Sequence, residues 1–163
     1  MSWKQKLYLW LTLRAETRTE LIVKMILYSA LYGLLHINYI DLVVPGSQIP
    51  GYHLWLVITY FAPFIPLLFI YGFKDWELVL SLGLIASLMN DLFYYPIAMI
   101  MFGRHVDLLE WYSFQLGLQG FKVRWYFNGG FFTFPVTSIL MAISIYLRIV
   151  LVTLLLWKWW RED

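Results

Sequence analysis

SLMNDLFYYP, residues 87–96, places a carboxylate in the middle of a long apolar stretch of the chain. An ionised Asp in the hydrocarbon of a bilayer is costly, so such a residue normally faces the inside of a helix bundle and finds a partner there. Asp91 is therefore a candidate functional residue by default. We expect the other apolar segments of the chain to surround it.

The amino-acid composition is typical of a membrane protein. Of the 163 residues, 61% are hydrophobic and only 13% are charged, which lies outside the range of ordinary soluble domains. The net charge of +2 is small and the cations are scattered, so a nucleic-acid-binding surface is not indicated. Because the chain has no Cys, disulfides, thiolate metal sites, iron–sulfur clusters and cysteine nucleophiles are excluded.

Four segments are apolar and long enough for a crossing, which takes about 20 residues. They lie near residues 20–40, 53–73, 77–102 and 132–157. The predicted fold class is an all-α bundle of four transmembrane helices, forming one transmembrane domain over residues 1–163. Pro63, Pro66 and Pro96 fall inside the second and third segments and are expected to kink them, because proline cannot donate a helical hydrogen bond.

Two further segments flank the spans. Residues 1–20 carry apolar residues at helical spacing with cations between them, which predicts an amphipathic helix lying on the membrane surface. The alternative is that they continue the first span into the cytoplasm. Residues 103–131 predict an extracytoplasmic lid made of a short helix over 106–118, an extended segment over 121–127 and a turn. This lid could equally be a docking surface for another subunit.

The distribution of Lys and Arg predicts the orientation in the membrane. With four crossings, one side carries Lys4, Lys6, Arg14, Arg18, Lys24, Lys74, Lys158 and Arg161, and the other carries Arg104, Lys122 and Arg124. The positively charged side of a membrane protein is normally cytoplasmic. We therefore expect a multi-pass protein of the cell membrane with both termini in the cytoplasm.

Polar residues follow one face of each span and could converge inside the bundle. Asp91 and Arg148 lie furthest from the ends of the spans, at depths that a long Arg side chain could bridge, so we expect a structural ion pair. Alternatively, Arg148 extends to the headgroups and Asp91 is protonated or bound to something else. The polar residues could also be hydrogen-bonding contacts between helices with no further role.

All three histidines lie toward the predicted outer side, together with several carboxylates. Neutral imidazoles with carboxylates suit a transition metal such as zinc, copper or iron. The candidate metal ligands are His36, His53, His105, Asp41, Asp107 and Asp91. Because no two of them share a helix turn in a known motif, interfacial histidines without a metal remain an alternative. A haem b held by His36 and His53 is a further alternative.

The leading functional hypothesis is a pocket in the outer half of the bundle that holds a metal ion or a small polar or lipid-like ligand. If the protein is an enzyme, Asp91 and Tyr94 are the candidate catalytic residues. The alternative is a non-catalytic subunit of a larger membrane complex, in which the partners are the lipid bilayer and other subunits or copies of the chain. Ion conduction along Asp91, Tyr94 and Arg148 is a third hypothesis.

Overall fold

The computed structural model describes residues 17–44 and 48–161. Its elements are α1 (Arg18–Leu31), a π-helical segment (Tyr32–Ile37), α2 (Asn38–Val43), α3 (Tyr52–Phe61), α4 (Pro66–Tyr71), α5 (Trp76–Phe102), α6 (Leu108–Gln115), β1 (Val123–Asn128), β2 (Thr133–Thr137) and α7 (Ser138–Arg161). Within these residues, four helical segments are long and apolar enough to cross a membrane. They are Thr19–Val43, Tyr52–Ile70, Phe73–Phe102 and Ser138–Arg161.

The prediction of an all-α fold is wrong in one respect, because β1 and β2 form an antiparallel hairpin. Residues 132–137 were expected to begin the fourth span, but β2 occupies most of them and α7 starts at Ser138. Thr137 caps this start, its Oγ1 accepting a hydrogen bond from the backbone N–H of Leu140 at 3.2 Å. Aromatic and β-branched residues pack well on a strand, so an apolar run here does not have to be helical.

The first span begins at a cap and contains an irregular turn. Thr17 Oγ1 accepts a hydrogen bond from the N–H of Glu20 at 3.1 Å, which fixes the start of α1. The amphipathic helix predicted for residues 1–20 lies outside the described residues up to residue 16. Further along, the π-helical segment contains Gly33, where a Cβ would lie 2.1 Å from the carbonyl oxygen of Ala86. Only glycine allows this approach to α5.

Prolines affect the second and third spans differently. α3 ends at Phe61, a turn follows over residues 62–65, and Pro66 then opens α4 at its first position, where the missing N–H costs nothing. The second span is thus interrupted where Pro63 and Pro66 remove helical donors. α5, by contrast, stays helical through Pro96 from Trp76 to Phe102.

α5 is the central helix, in contact with α1, α3, α6 and α7. The bundle has two ends, which we name by what they carry. The hairpin end holds the end of α2, the start of α3, the end of α5, and α6 with the hairpin. The Glu77 end holds the starts of α1 and α5 and the end of α7. A buried apolar cluster fills the Glu77 end; its members include Ile22, Met25, Phe64, Leu78, Leu82 and Trp159.

Candidate functional site

A cavity of about 1270 Å³ opens at the hairpin end of the bundle. α3, α5 and α7 contribute its walls, and both strands of the hairpin contribute side chains above them. The polar groups that line it include Asp41, Asn90, Asp91, Tyr94, Arg104 and Arg148. Aromatic rings of the hairpin and of α5 supply much of the remaining lining, so the cavity presents both polar and aromatic groups.

The ion pair expected between Asp91 and Arg148 forms one wall. Nη2 of Arg148 lies 2.6 Å from Oδ2 of Asp91, and both side chains remain partly exposed, at 14% and 25%. The same guanidinium donates from Nη1 to Ser87 Oγ at 3.1 Å and from Nε to the backbone oxygen of Ser144 at 3.1 Å. The Gln115 side-chain amide donates to the carbonyl of Asp91. This pair therefore joins α5 to α7 and faces the cavity.

A second polar group, around Asn90, lies between the first span, α3 and α5. Tyr60 Oη donates to Asn90 Oδ1 at 2.7 Å, and Asn90 Nδ2 donates to Asn38 Oδ1 at 2.9 Å. Asn90 Nδ2 also lies 3.5 Å from Oδ2 of Asp41, whose Oδ1 accepts from Tyr52 Oη at 2.7 Å. Asn38 and Asn90 are almost fully buried. The network holds the Asp41 carboxylate in place with neutral donors.

Asn38 directly follows the π-helical segment and is hydrogen-bonded to it. Its side chain donates to the carbonyl oxygens of Gly33 at 3.2 Å and Leu34 at 3.0 Å. Its own oxygen is then left to accept from α5. Such bulges are frequent at functional sites, and this one lies next to the cavity.

The hairpin is pinned over the cavity at its turn. Asn128 donates from its backbone N–H to His53 Nδ1 at 2.9 Å and from its side chain to the carbonyl of Ile49 at 3.2 Å, while its Oδ1 accepts from the N–H of Gly51 at 3.1 Å. Gly51 and Gly130 approach so closely that a Cβ on Gly130 would lie 3.4 Å from the Gly51 backbone. The lid predicted over residues 103–131 thus includes β1, which pairs with β2 and lines the cavity.

Charges on α6 hold the other side of the hairpin. Glu110 accepts a hydrogen bond from Lys122 Nζ at 3.0 Å and lies 3.5 Å from Nη1 of Arg124. The hydrogen bond from Lys122, with the positive charges of Lys122 and Arg124, lowers the pKa of Glu110. The Arg124 guanidinium also stacks over the ring of Trp111, 5.2 Å from its centroid.

The structure does not gather the three histidines. His36 is exposed and stacks on Tyr32 with ring centroids 5.2 Å apart, and His105 is exposed after α5. His53 uses Nδ1 to accept from the hairpin. Among residues 17–44 and 48–161, no group of three or more His, Asp or Glu side chains is arranged to hold a metal ion. The metal and haem hypotheses stay predictions.

The other residues singled out from the sequence lie in different parts of the structure. Asp41, Asp91 and Tyr94 line the cavity, as the sequence-based pocket would require. Asp107, named as a metal ligand, caps α6 instead, its Oδ1 accepting from the N–H of Glu110 at 3.0 Å. Trp111, which a surface-lying helix would place against the membrane, is 4% exposed and packs in an apolar cluster at the hairpin end.

Sequence reasoning missed Asn38 and the pinning role of Asn128. Asn38 carried a usable signal, because an amide within an apolar span normally faces the bundle and hydrogen-bonds there. Asn128 was interpreted only as a turn residue, and no pattern in the sequence couples it to His53.

Comparisons with protein-family models, with curated proteins and with solved structures find no match to this chain. The class that the fold itself defines is a helical bundle with four segments apolar enough to cross a membrane, a small hairpin at one end and a mixed polar and aromatic cavity beneath it.

Proposed function

We propose that this chain is an integral membrane protein that binds a small amphipathic, lipid-like molecule in the cavity at the hairpin end. The observation that carries the proposal is the mixed lining of the cavity. Charged and amide groups, among them Asp41, Asn90, Asp91 and Arg148, line it together with aromatic side chains of the hairpin and of α5. A molecule with a polar head and an apolar body would find partners for both of its ends.

The size of the cavity supports this choice of ligand. Ligand pockets commonly measure about 300–1,000 Å³, and the cavity here, at about 1270 Å³, has room for a headgroup and part of a chain. A single metal ion would leave most of that volume unused. Asp91 and Tyr94 line the cavity, so both could contact the ligand, and they remain the candidate catalytic residues if the ligand is a substrate.

Blocking the cavity tests the proposal. Ser144 on α7 lines the cavity, whereas the neighbouring Ile143 is 57% exposed on the outside of the helix. We expect native mass spectrometry of the wild-type protein, and of Ile143→Trp, to find a co-purified small molecule. Ser144→Trp should lose it, because an indole would occupy the same space. Equal ligand content in the two variants would contradict the proposal.

The orientation that accompanies this proposal places both termini in the cytoplasm and the hairpin outside. Its support is the excess of Lys and Arg at the Glu77 end over the hairpin end. Because the chain has no native Cys, single cysteines at Lys74 and Lys122 can be labelled from each side of the membrane. Labelling of the Lys122 position from the cytoplasmic side would show that the protein has the opposite orientation.

A second candidate function is that of a subunit in a larger membrane complex. It is favoured by exposed apolar side chains around the hairpin: Phe131 is 88% exposed, Leu109 82% and Phe121 81%. Large exposed apolar surfaces often mark interaction sites. Blue-native electrophoresis of mild membrane extracts tests it. A complex larger than the monomer that disappears in Phe131→Ser would support this function, and migration as a monomer would exclude it.

A further inference from the structure

The two carboxylates that face the cavity differ in their partners. Asp91 is neutralised by Arg148 at 2.6 Å. Asp41 accepts hydrogen bonds from Tyr52 and Asn90, which are uncharged, and the ion pairs found among the described residues do not include it. Asp41 is therefore a fixed acidic group that faces the cavity without a cationic side chain beside it.

The cations that line the cavity already have acceptors. Arg148 is paired with Asp91, and Arg124 lies 3.5 Å from Glu110. Arg104 is exposed, with Nη2 3.5 Å from the carbonyl oxygen of Leu42 and its guanidinium over the ring of Phe102. An anionic ligand would compete with the acceptors that these cations already have and would be repelled by the charge of Asp41. A cationic ligand at Asp41 would compete with none of them.

We propose that Asp41 recognises a positively charged headgroup, so that the ligand is a long-chain amine or quaternary ammonium amphiphile. This inference rests on the proposed function and names the chemical class of its ligand. An ammonium at Asp41 would form a charge-assisted contact. The faces of Tyr52 and Tyr94, which line the same cavity, would attract it through their π electrons. The alkyl chain would lie toward the aromatic side chains of the hairpin, Trp125, Phe127 and Phe134.

Photolabelling of the full chain in lipid nanodiscs tests the inference. The probes are dodecylamine, its neutral N-acetyl derivative and dodecyl phosphate, each with the same diazirine in the chain. Peptide mass spectrometry measures the label on α3 and on the first half of α7. We expect the amine to label these segments at least about tenfold more than the neutral probe, as a charge-assisted contact would provide.

Variants assign that preference to one carboxylate. Asp41→Asn keeps an acceptor for Tyr52 but removes the charge, so the amine and the neutral probe should label it equally. Asp41→Glu should retain the preference for the amine. Asp75→Asn is the matched control, because Asp75 lies at the Glu77 end, where its Oδ1 accepts from Trp159 Nε1 at 2.5 Å; it should behave as wild type. The wild-type comparison of probes needs no variant and stands even if Asp41→Asn does not fold.

The outcomes separate the two proposals. Equal labelling of the wild-type cavity by amine and neutral probes, abolished in Ser144→Trp, would overturn the role of Asp41 and leave the amphiphile pocket intact. A preference for dodecyl phosphate would also overturn it and would indicate the arginines that line the cavity as recognition groups. Absence of cavity labelling by all three probes would contradict both proposals.

Discussion

Two ion pairs join α5 to α7, and their surroundings differ. At the Glu77 end, Lys158 Nζ lies 2.6 Å from Oε1 of Glu77, whose side chain is 1% exposed. At the hairpin end, Arg148 lies 2.6 Å from Asp91, whose side chain is 25% exposed. The contact distance is the same, but the Glu77 carboxylate is buried beside a half-exposed lysine, whereas the Asp91 carboxylate faces a cavity. Geometry alone therefore does not distinguish a structural pair from one at a binding site; the environment does.

The Glu77 end is closed by side chains that fit together. Trp159 packs in the cluster with Leu78 and donates a hydrogen bond from Nε1 to Asp75. The end of α7 is therefore fixed to the start of α5 both by packing and by a hydrogen bond. At the hairpin end, polar side chains project from α5 and α7 into the space beneath the strands. The same two helices thus flank a packed apolar cluster at one end and line the cavity at the other.

The largest loss in the free energy of unfolding is expected from Lys158→Met. It would leave the Glu77 carboxylate, 1% exposed, without its ion-pair partner; breaking a fully buried pair typically costs about 3–5 kcal/mol, and because the Lys158 side chain is 52% exposed the lower end of that range, about 3 kcal/mol, applies. We expect the free energy of unfolding to fall by about that amount, measured by titration with dodecyl sulfate in mixed micelles. The double variant Glu77→Leu, Lys158→Met should recover most of the loss, because no buried charge remains. A loss below about 1 kcal/mol in the single variant would show that Glu77 does not depend on Lys158.

Arg148→Met should lower the free energy of unfolding by less, although it breaks an ion pair with the same contact distance. The Asp91 side chain is 25% exposed, so its charge can be hydrated from the cavity, and we expect a loss of about 1–3 kcal/mol. The same titration measures it, with Ile143→Met on the outside of α7 as the control for helix packing. If Arg148→Met proved more damaging than Lys158→Met, the distinction between the buried pair and the pair at the cavity would be wrong.

The spans could be predicted because apolar length is a local property of the sequence. The segment expected over 77–102 is covered by a helix over Phe73–Phe102, and the one expected over 20–40 by Thr19–Val43. The start of α7 could not be placed in the same way. Residues 132–137 carry Phe132, Phe134 and Val136 directly before α7, and hydropathy does not mark the boundary between them; their pairing with β1 makes them a strand. Strand pairing is a contact between residues that are distant in the sequence, and hydropathy gives no information about such contacts.

The site could be predicted only in part, for the same reason. Depth counted along two helices was enough to suggest the contact of Asp91 with Arg148. The histidines shared a predicted side of the membrane, but a common depth does not bring side chains together, and His53 contacts the hairpin instead. The network at Asn38 depends on a π turn and on the glycine that lets α5 approach, and neither has a periodic signature in the sequence.

The smallest effect on stability is expected for Glu110, which connects α6 to the hairpin through Lys122 and Arg124. Its pKa is lowered from 4.5 by the hydrogen bond from Lys122 and by the charges of Lys122 and Arg124. A carboxyl group whose pKa is lower in the folded state stabilises it above the unfolded pKa, and this contribution disappears as the pH falls through the folded pKa. We therefore expect the amides of β1 and β2 to open more readily in acid, after correction for the intrinsic exchange rate. Hydrogen–deuterium exchange between about pH 6 and pH 3 measures this.

Glu110→Gln should remove the acid dependence, and Asp75→Asn, at the other end, should keep it. An unchanged acid dependence in Glu110→Gln would mean that the hairpin is held over the cavity by the contacts of Asn128 and by packing alone.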